Sequence, residues 1–151
     1  MSKKELEDLS KSSQEIQKEL REKKSSYNDR LSGSELFQAS RYQILKYTCF
    51  GMTLFSAMTL TVIEDRMRLP SFILGISLFS SFLFFGLAVI FHAKEGMIRQ
   101  YFMGSSRGTY NSVFGQHALR AGKIYLFAGW SIVIATIGLP LLAIGLVYFL
   151  T

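Results

Sequence analysis

Few residues in this chain have the types and spacing that chemistry requires. His92 and Glu95 stand three positions apart, about one helical turn, and His117 follows in a later polar stretch. Imidazoles with a carboxylate are a donor set for zinc or iron, and a lone His92 clamping a haem against another subunit is a variant of the same idea. Neither pattern is complete: the three residues form no tight motif, and we expect no metal and no cofactor. Cys49 is the single cysteine, so no internal disulfide forms. It lies within an apolar run, where a thiol behaves as a small hydrophobe. No nucleophile elbow, phosphate loop, paired-cysteine site or zinc-protease helix is present. The stretch Gly104–Gly108 (GSSRG) has too few glycines for a phosphate loop, and no strand is expected before it. An enzyme is therefore not expected.

The elements that would hold these residues are dominated by three apolar runs, free of Asp, Glu, Lys, Arg and His. The longest, Ile124 to Leu150, has 27 residues without a charge. About 20 apolar helical residues cross the hydrocarbon layer of a bilayer. The first run, 47–63, reaches about 26 Å as a helix, the second, 69–91, about 34 Å, and the third about 40 Å. The third exceeds a hydrocarbon core of about 30 Å, so it must tilt, kink or protrude. Pro140 supplies the kink by removing the bond to the carbonyl of Thr136, and Gly138 eases the bend. Only Glu64, Asp65, Arg66, Met67 and Arg68 separate the first two runs, which makes them an antiparallel helical hairpin. Pro70 sits where a missing N–H costs nothing.

The expected fold is thus an all-α integral membrane protein with three transmembrane helices, a helical hairpin plus a Pro-kinked third helix, preceded by an N-terminal amphipathic cytoplasmic helix. The segments are a charged arm (1–46), the hairpin (47–91), an interfacial amphipathic connection (92–123) and the third span (124–151). The composition agrees: 49% of residues are hydrophobic, yet the arm holds ten Lys/Arg and eight Asp/Glu against seven and three in the remainder. The arm is too short to build a core of its own. Its polar, mixed-charge start lacks the apolar stretch of a cleavable signal, so the first span is expected to act as the insertion signal.

Charge sets the orientation. The arm carries ten basic residues and the connection five, Lys94, Arg99, Arg107, Arg120 and Lys123. An odd number of spans puts both tracts on one side, which the basic-inside rule makes cytoplasmic. The C-terminus then lies on the opposite side, and the cell (cytoplasmic) membrane is the expected location. The formal charge of +6 is read as this anchoring, not as a nucleic-acid surface.

In the arm, Leu6, Leu9, Ser13, Ile16, Leu20 and Tyr27 follow a 3–4 spacing, predicting a helix and then a loose segment around 25–34. In the connection, Met97, Ile98, Tyr101 and Phe102, and again Tyr110, Val113, Phe114 and Ala118, repeat that spacing about the GSSRG turn. Two short interfacial helices are predicted there, with Lys94, Arg99, Tyr101, Phe102, Arg107, Arg120 and Lys123 in the headgroup layer of the membrane lipid.

Small residues on the spans mark where helices approach each other: Cys49, Thr53, Ala57 and Thr61 on the first, Ser77 and Ser81 on the second, and Ala128, Ser131, Ala135 and Gly138 on the third. Trp130 lies well inside the third span, where its N–H needs a partner. Three helices enclose little volume, so some of these faces are expected to meet other membrane subunits or further copies of the chain. The expected role is that of a non-catalytic membrane subunit or accessory protein acting by helix packing within a larger complex. The alternative is a homo-oligomeric pore-forming or membrane-disrupting effector whose path is lined by hydroxyls such as Thr53, Thr61, Ser77, Ser80 and Ser81.

Overall fold

The structure, a computed structural model, describes residues 3–66, 71–106 and 109–150. Pro70, Arg107, Thr151 and the end of the 64–68 turn lie outside them. The described chain is mostly helical, with four helices and one two-stranded sheet: α1 (Lys3–Asn28), α2 (Gly33–Arg66), α3 (Ser71–Arg99), β1 (Tyr101–Ser106), β2 (Thr109–Phe114) and α4 (Gln116–Leu150). Two stretches, Gly75–Arg99 and Gln116–Leu142, are long and apolar enough to cross a membrane. The run 47–63 within α2 is diluted by Thr48, Thr53, Ser56, Thr59 and Thr61.

The arm does not end in a loose segment. Asn28 closes α1, and Asp29, Arg30 and Leu31 turn the chain through backbone bonds to Ser25, Tyr27 and Asn28. Ser32 then caps α2. The Glu35 amide donates to the Ser32 hydroxyl at 3.4 Å, while the Ser32 amide donates to Glu35 Oε2 at 2.9 Å and its hydroxyl at 2.8 Å. This reciprocal box satisfies amides that the first turn leaves bare. The same two donors hold the Glu35 carboxyl below the usual carboxylate range. From this cap α2 runs unbroken through 34 residues, about 51 Å, so the end of the arm and the first apolar run are one rod.

The connection between α3 and α4 is also not what the 3–4 spacing predicts. α3 continues to Arg99, Gln100 takes a left-handed conformation with φ of 53°, and an antiparallel β-hairpin follows. Its register pairs Tyr101 with Phe114 at the base and Ser106 with Thr109 at the tip. The Gly115 amide bonds the Gln100 carbonyl at 2.8 Å, closing the base, and Gly115 has φ of 61°. Tyr, Phe, Thr and Val favour a pleated backbone, and that preference outweighs a helical spacing carried by only a few residues. Gly104 to Ser106 therefore end a strand instead of leading into a helix.

α3 stands between α2 and α4 and carries the helix packing with both. On the α4 side, backbones meet at two glycines. A Cβ on Gly129 would fall 2.7 Å from Ile90 Cγ1 and 3.1 Å from the Gly86 carbonyl oxygen, and one on Gly86 would fall 2.8 Å from Val133 Cγ2. Ile90, Ala93, Ala118 and Val133, on the same helix faces as these glycines, are buried, as are Ala88 on another face of α3 and Ala39 and Cys49 on α2. The outward faces are apolar: Phe55 is 71%, Phe127 76% and Leu139 66% exposed. A core helix of a soluble domain hides such residues.

Candidate functional site

The polar chemistry gathers where α2 enters the bundle, α3 leaves it and the β-hairpin begins. Glu95, on the last turns of α3, is the one buried charged residue among those described, with 8% of its surface exposed. Lys46 of α2 donates to Glu95 Oε2 at 2.6 Å, and Arg99 Nε lies 3.2 Å from Oε1, one turn along the same helix. Arg99 also donates to Asn28 Oδ1 of α1 at 3.2 Å and to Gln43 Oε1 of α2 at 3.1 Å. One guanidinium thus ties three helices to a single buried carboxylate. A buried charge persists only when paired and hydrogen-bonded, and here two cations surround one anion.

Aromatic rings cover this network. His92 packs edge-on against Phe102 at 5.2 Å and Tyr125 at 5.8 Å. Phe102 sits so close over Gly96 that no side chain fits at that position. Tyr27 and Tyr101 both pack against Phe114, at 5.5 and 6.2 Å. The last turns of α1 close the roof: Lys23 Nζ lies 5.2 Å from the centroid of Phe114 and Lys24 Nζ 5.5 Å from that of Tyr101, within cation–π range. Beneath lies an open cavity of about 240 Å³ whose polar wall is formed by Lys24, Gln43, Lys46, His92, Glu95 and Arg99.

Several residues expected in the headgroup layer also pack against other parts of the fold. Tyr101 and Phe102 are buried at 8% and 5%, and Arg99 anchors the charge network. Lys94 lies half-buried, 5.4 Å over the ring of Tyr42, while Arg120 and Lys123 are exposed. Of the small residues on the spans, Cys49 is buried; Thr53, Ser77, Ser81, Ala128 and Gly138 are half-buried; Ala57, Ser131 and Ala135 are exposed, as is Trp130. The side chain of Thr61 is outside those described. The glycines that do bring α3 and α4 together, Gly86 and Gly129, were legible only as scattered glycines. The Thr53 hydroxyl donates to its own helix at the Cys49 carbonyl, 2.9 Å away. Ser81 Oγ is buried with no hydrogen-bond partner among the described residues. His117 is exposed at the start of α4. Among the described residues no three of His, Cys, Asp or Glu gather closely enough to hold a metal ion.

No known protein family, curated protein or solved structure matches this chain. Function rests on the geometry alone.

Proposed function

We propose that this chain is a non-catalytic integral membrane subunit or accessory protein that acts by helix packing within a larger assembly in the cell membrane. Three spans cross the bilayer, 47–63, 69–91 and 124–150, the last bent at Pro140. The arm and the β-hairpin face the cytoplasm and the C-terminus the other side. The basic residues of the arm and of the 92–123 connection support this orientation, as does the way α1 and the β-hairpin meet at one end of the bundle.

The observation that carries the proposal is a groove of about 480 Å³ between α3 and α4, lined by apolar and small residues including Gly75, Phe79, Phe82, Ala135, Thr136 and Pro140. The small residues of α4 that leave the α3 seam, Ser131 and Ala135, are on its exposed side. A surface with small residues between larger ones receives the ridge of another helix, because lipid tails give helices no hydrophobic reason to associate. A photo-reactive amino acid at Ala135 tests this in native membranes. Adducts with another membrane protein, or with a second copy, are expected. Lipid adducts alone, from a protein that runs as a monomer in mild detergent, would overturn the proposal.

A further inference from the structure

The cavity at the charged end adjoins a second, apolar groove. The groove, about 360 Å³, runs over α3 between α2 and α4 and is lined by Phe50, Phe85, Ala88 and Val89. Lys46, Tyr47 and His92 line both spaces. The polar space holds three cations, Lys24, Lys46 and Arg99, against one carboxylate, Glu95. Pairing with Glu95 neutralises one positive charge and leaves two in the wall of a space open to solvent. Such a wall attracts an anion with oxygen acceptors, and a phosphate satisfies that chemistry. From the geometry we infer that the site takes an anionic phospholipid, its phosphate against Lys24, Lys46 and Arg99 and an acyl chain along Phe50, Phe85 and Val89.

The adjoining groove decides between a lipid headgroup and free phosphate. A site for phosphate alone has no use for an apolar trough that begins at the same lysine, whereas an amphiphile has a charged head and an apolar tail that match the two spaces in order. The depth agrees, given the membrane reading above on which this inference rests. Lys46 and Arg99 sit where α2 and α3 reach the bilayer surface, flanked by Tyr47, Tyr101 and Tyr125, and aromatic rings with basic residues concentrate at that level. Lys24 comes from α1, so an occupied site holds the arm against the bundle.

The test is thermal unfolding of the full chain in mild detergent, titrated separately with dioleoylphosphatidylglycerol, dioleoylphosphatidylcholine and sodium phosphate. A saturable rise in Tm is expected with phosphatidylglycerol, and none with the other two at the same concentrations. Lys24→Ala, which leaves the Glu95 pairs intact, should raise the half-saturating phosphatidylglycerol concentration about fivefold, the contribution of one basic residue at a lipid headgroup. Val89→Trp, which fills the trough, should remove the lipid response. An equal response to phosphate alone, or an unchanged response in both variants, would overturn the lipid site. Alkaline carbonate separates this failure from that of the membrane reading. Protein that stays in the membrane yet ignores phosphatidylglycerol sinks only the site, while protein washed off sinks the reading beneath it.

Discussion

Glu95 is the residue on which the polar end of the molecule depends. Its carboxylate meets Lys46 at 2.6 Å and Arg99 at 3.2 Å, with 17%, 11% and 13% of the Lys46, Glu95 and Arg99 side chains exposed. Removing the anion leaves two cations side by side in the wall of the cavity; breaking a fully buried pair costs about 3 kcal/mol, and solvent reaching this site lowers that figure. Glu95→Gln keeps the volume and removes the charge, so it isolates that cost. Lys46→Met leaves Glu95 with Arg99 still beside it, and its loss should be the smaller. Chemical unfolding of the two variants in detergent checks the order. Equal, small losses would mean that water screens the cluster. The sequence made Glu95 conspicuous as an acid three positions from His92, in a donor set too incomplete to predict a metal. Its actual partners, Lys46 and Arg99, were visible only as members of two basic tracts. The tracts were legible because charge counts need no geometry, whereas the Lys46–Glu95 pair spans two helices and depends on their register.

At the scale of elements, the long helices were legible and the β-hairpin was not. A run of charge-free residues has one solution in a bilayer, since every amide must be bonded within the segment. The hairpin is different. Tyr101, Phe102, Tyr110, Val113 and Phe114 fit a 3–4 spacing for a turn or two, and so short a segment cannot separate a period of 3.6 from one of 2. The informative signal was two runs rich in aromatic and β-branched residues, six residues each, set around a short glycine-containing gap. The start of α2 was equally readable in Ser32 and Glu35, whose spacing is that of a capping box. Helix packing has a test of its own. Gly129→Val would place atoms against the Ile90 and Gly86 backbones, which cannot move independently of α3. It should separate α3 from α4 and cost several kcal/mol, on the scale of overpacking at 1–3 kcal/mol or more. Gly138→Ala meets nothing within 4 Å and should be tolerated. Similar unfolding midpoints for both would show that the Gly86–Gly129 contact does not hold the helices together.

At the scale of the molecule, the exposed surface is large for a chain of this mass. Its 17.1 kDa carry 11573 Å² of accessible surface, against about 7,800 Å² for a compact monomer of that mass. Among the described residues no large side chain is fully buried. Large apolar side chains are exposed on α2, α3 and α4, a surface that the proposed membrane reading covers with lipid or other helices. On that reading, how α2 meets the bilayer decides the topology. α3 and α4 have the length and apolarity to cross, while the apolar run of α2 is shorter and rich in threonine. Its hydroxyls reduce that cost by bonding their own backbone, as Thr48 does to the Ile44 carbonyl at 3.0 Å and Thr53 to that of Cys49 at 2.9 Å. Packing along α3, with Cys49 buried, favours a rod that crosses beside its neighbour over one that lies on the surface. If α2 crosses, the two ends of the chain are on opposite sides; if it lies flat, they share one. Single cysteines introduced as Ser34→Cys and Thr151→Cys, in a background where Cys49 is alanine, distinguish these outcomes with a membrane-impermeant maleimide. Labelling of position 151 on intact cells, and of position 34 only after permeabilisation, is the expected pattern. Both positions labelling alike would reduce the spans to α3 and α4 and lay the first apolar run along the headgroups.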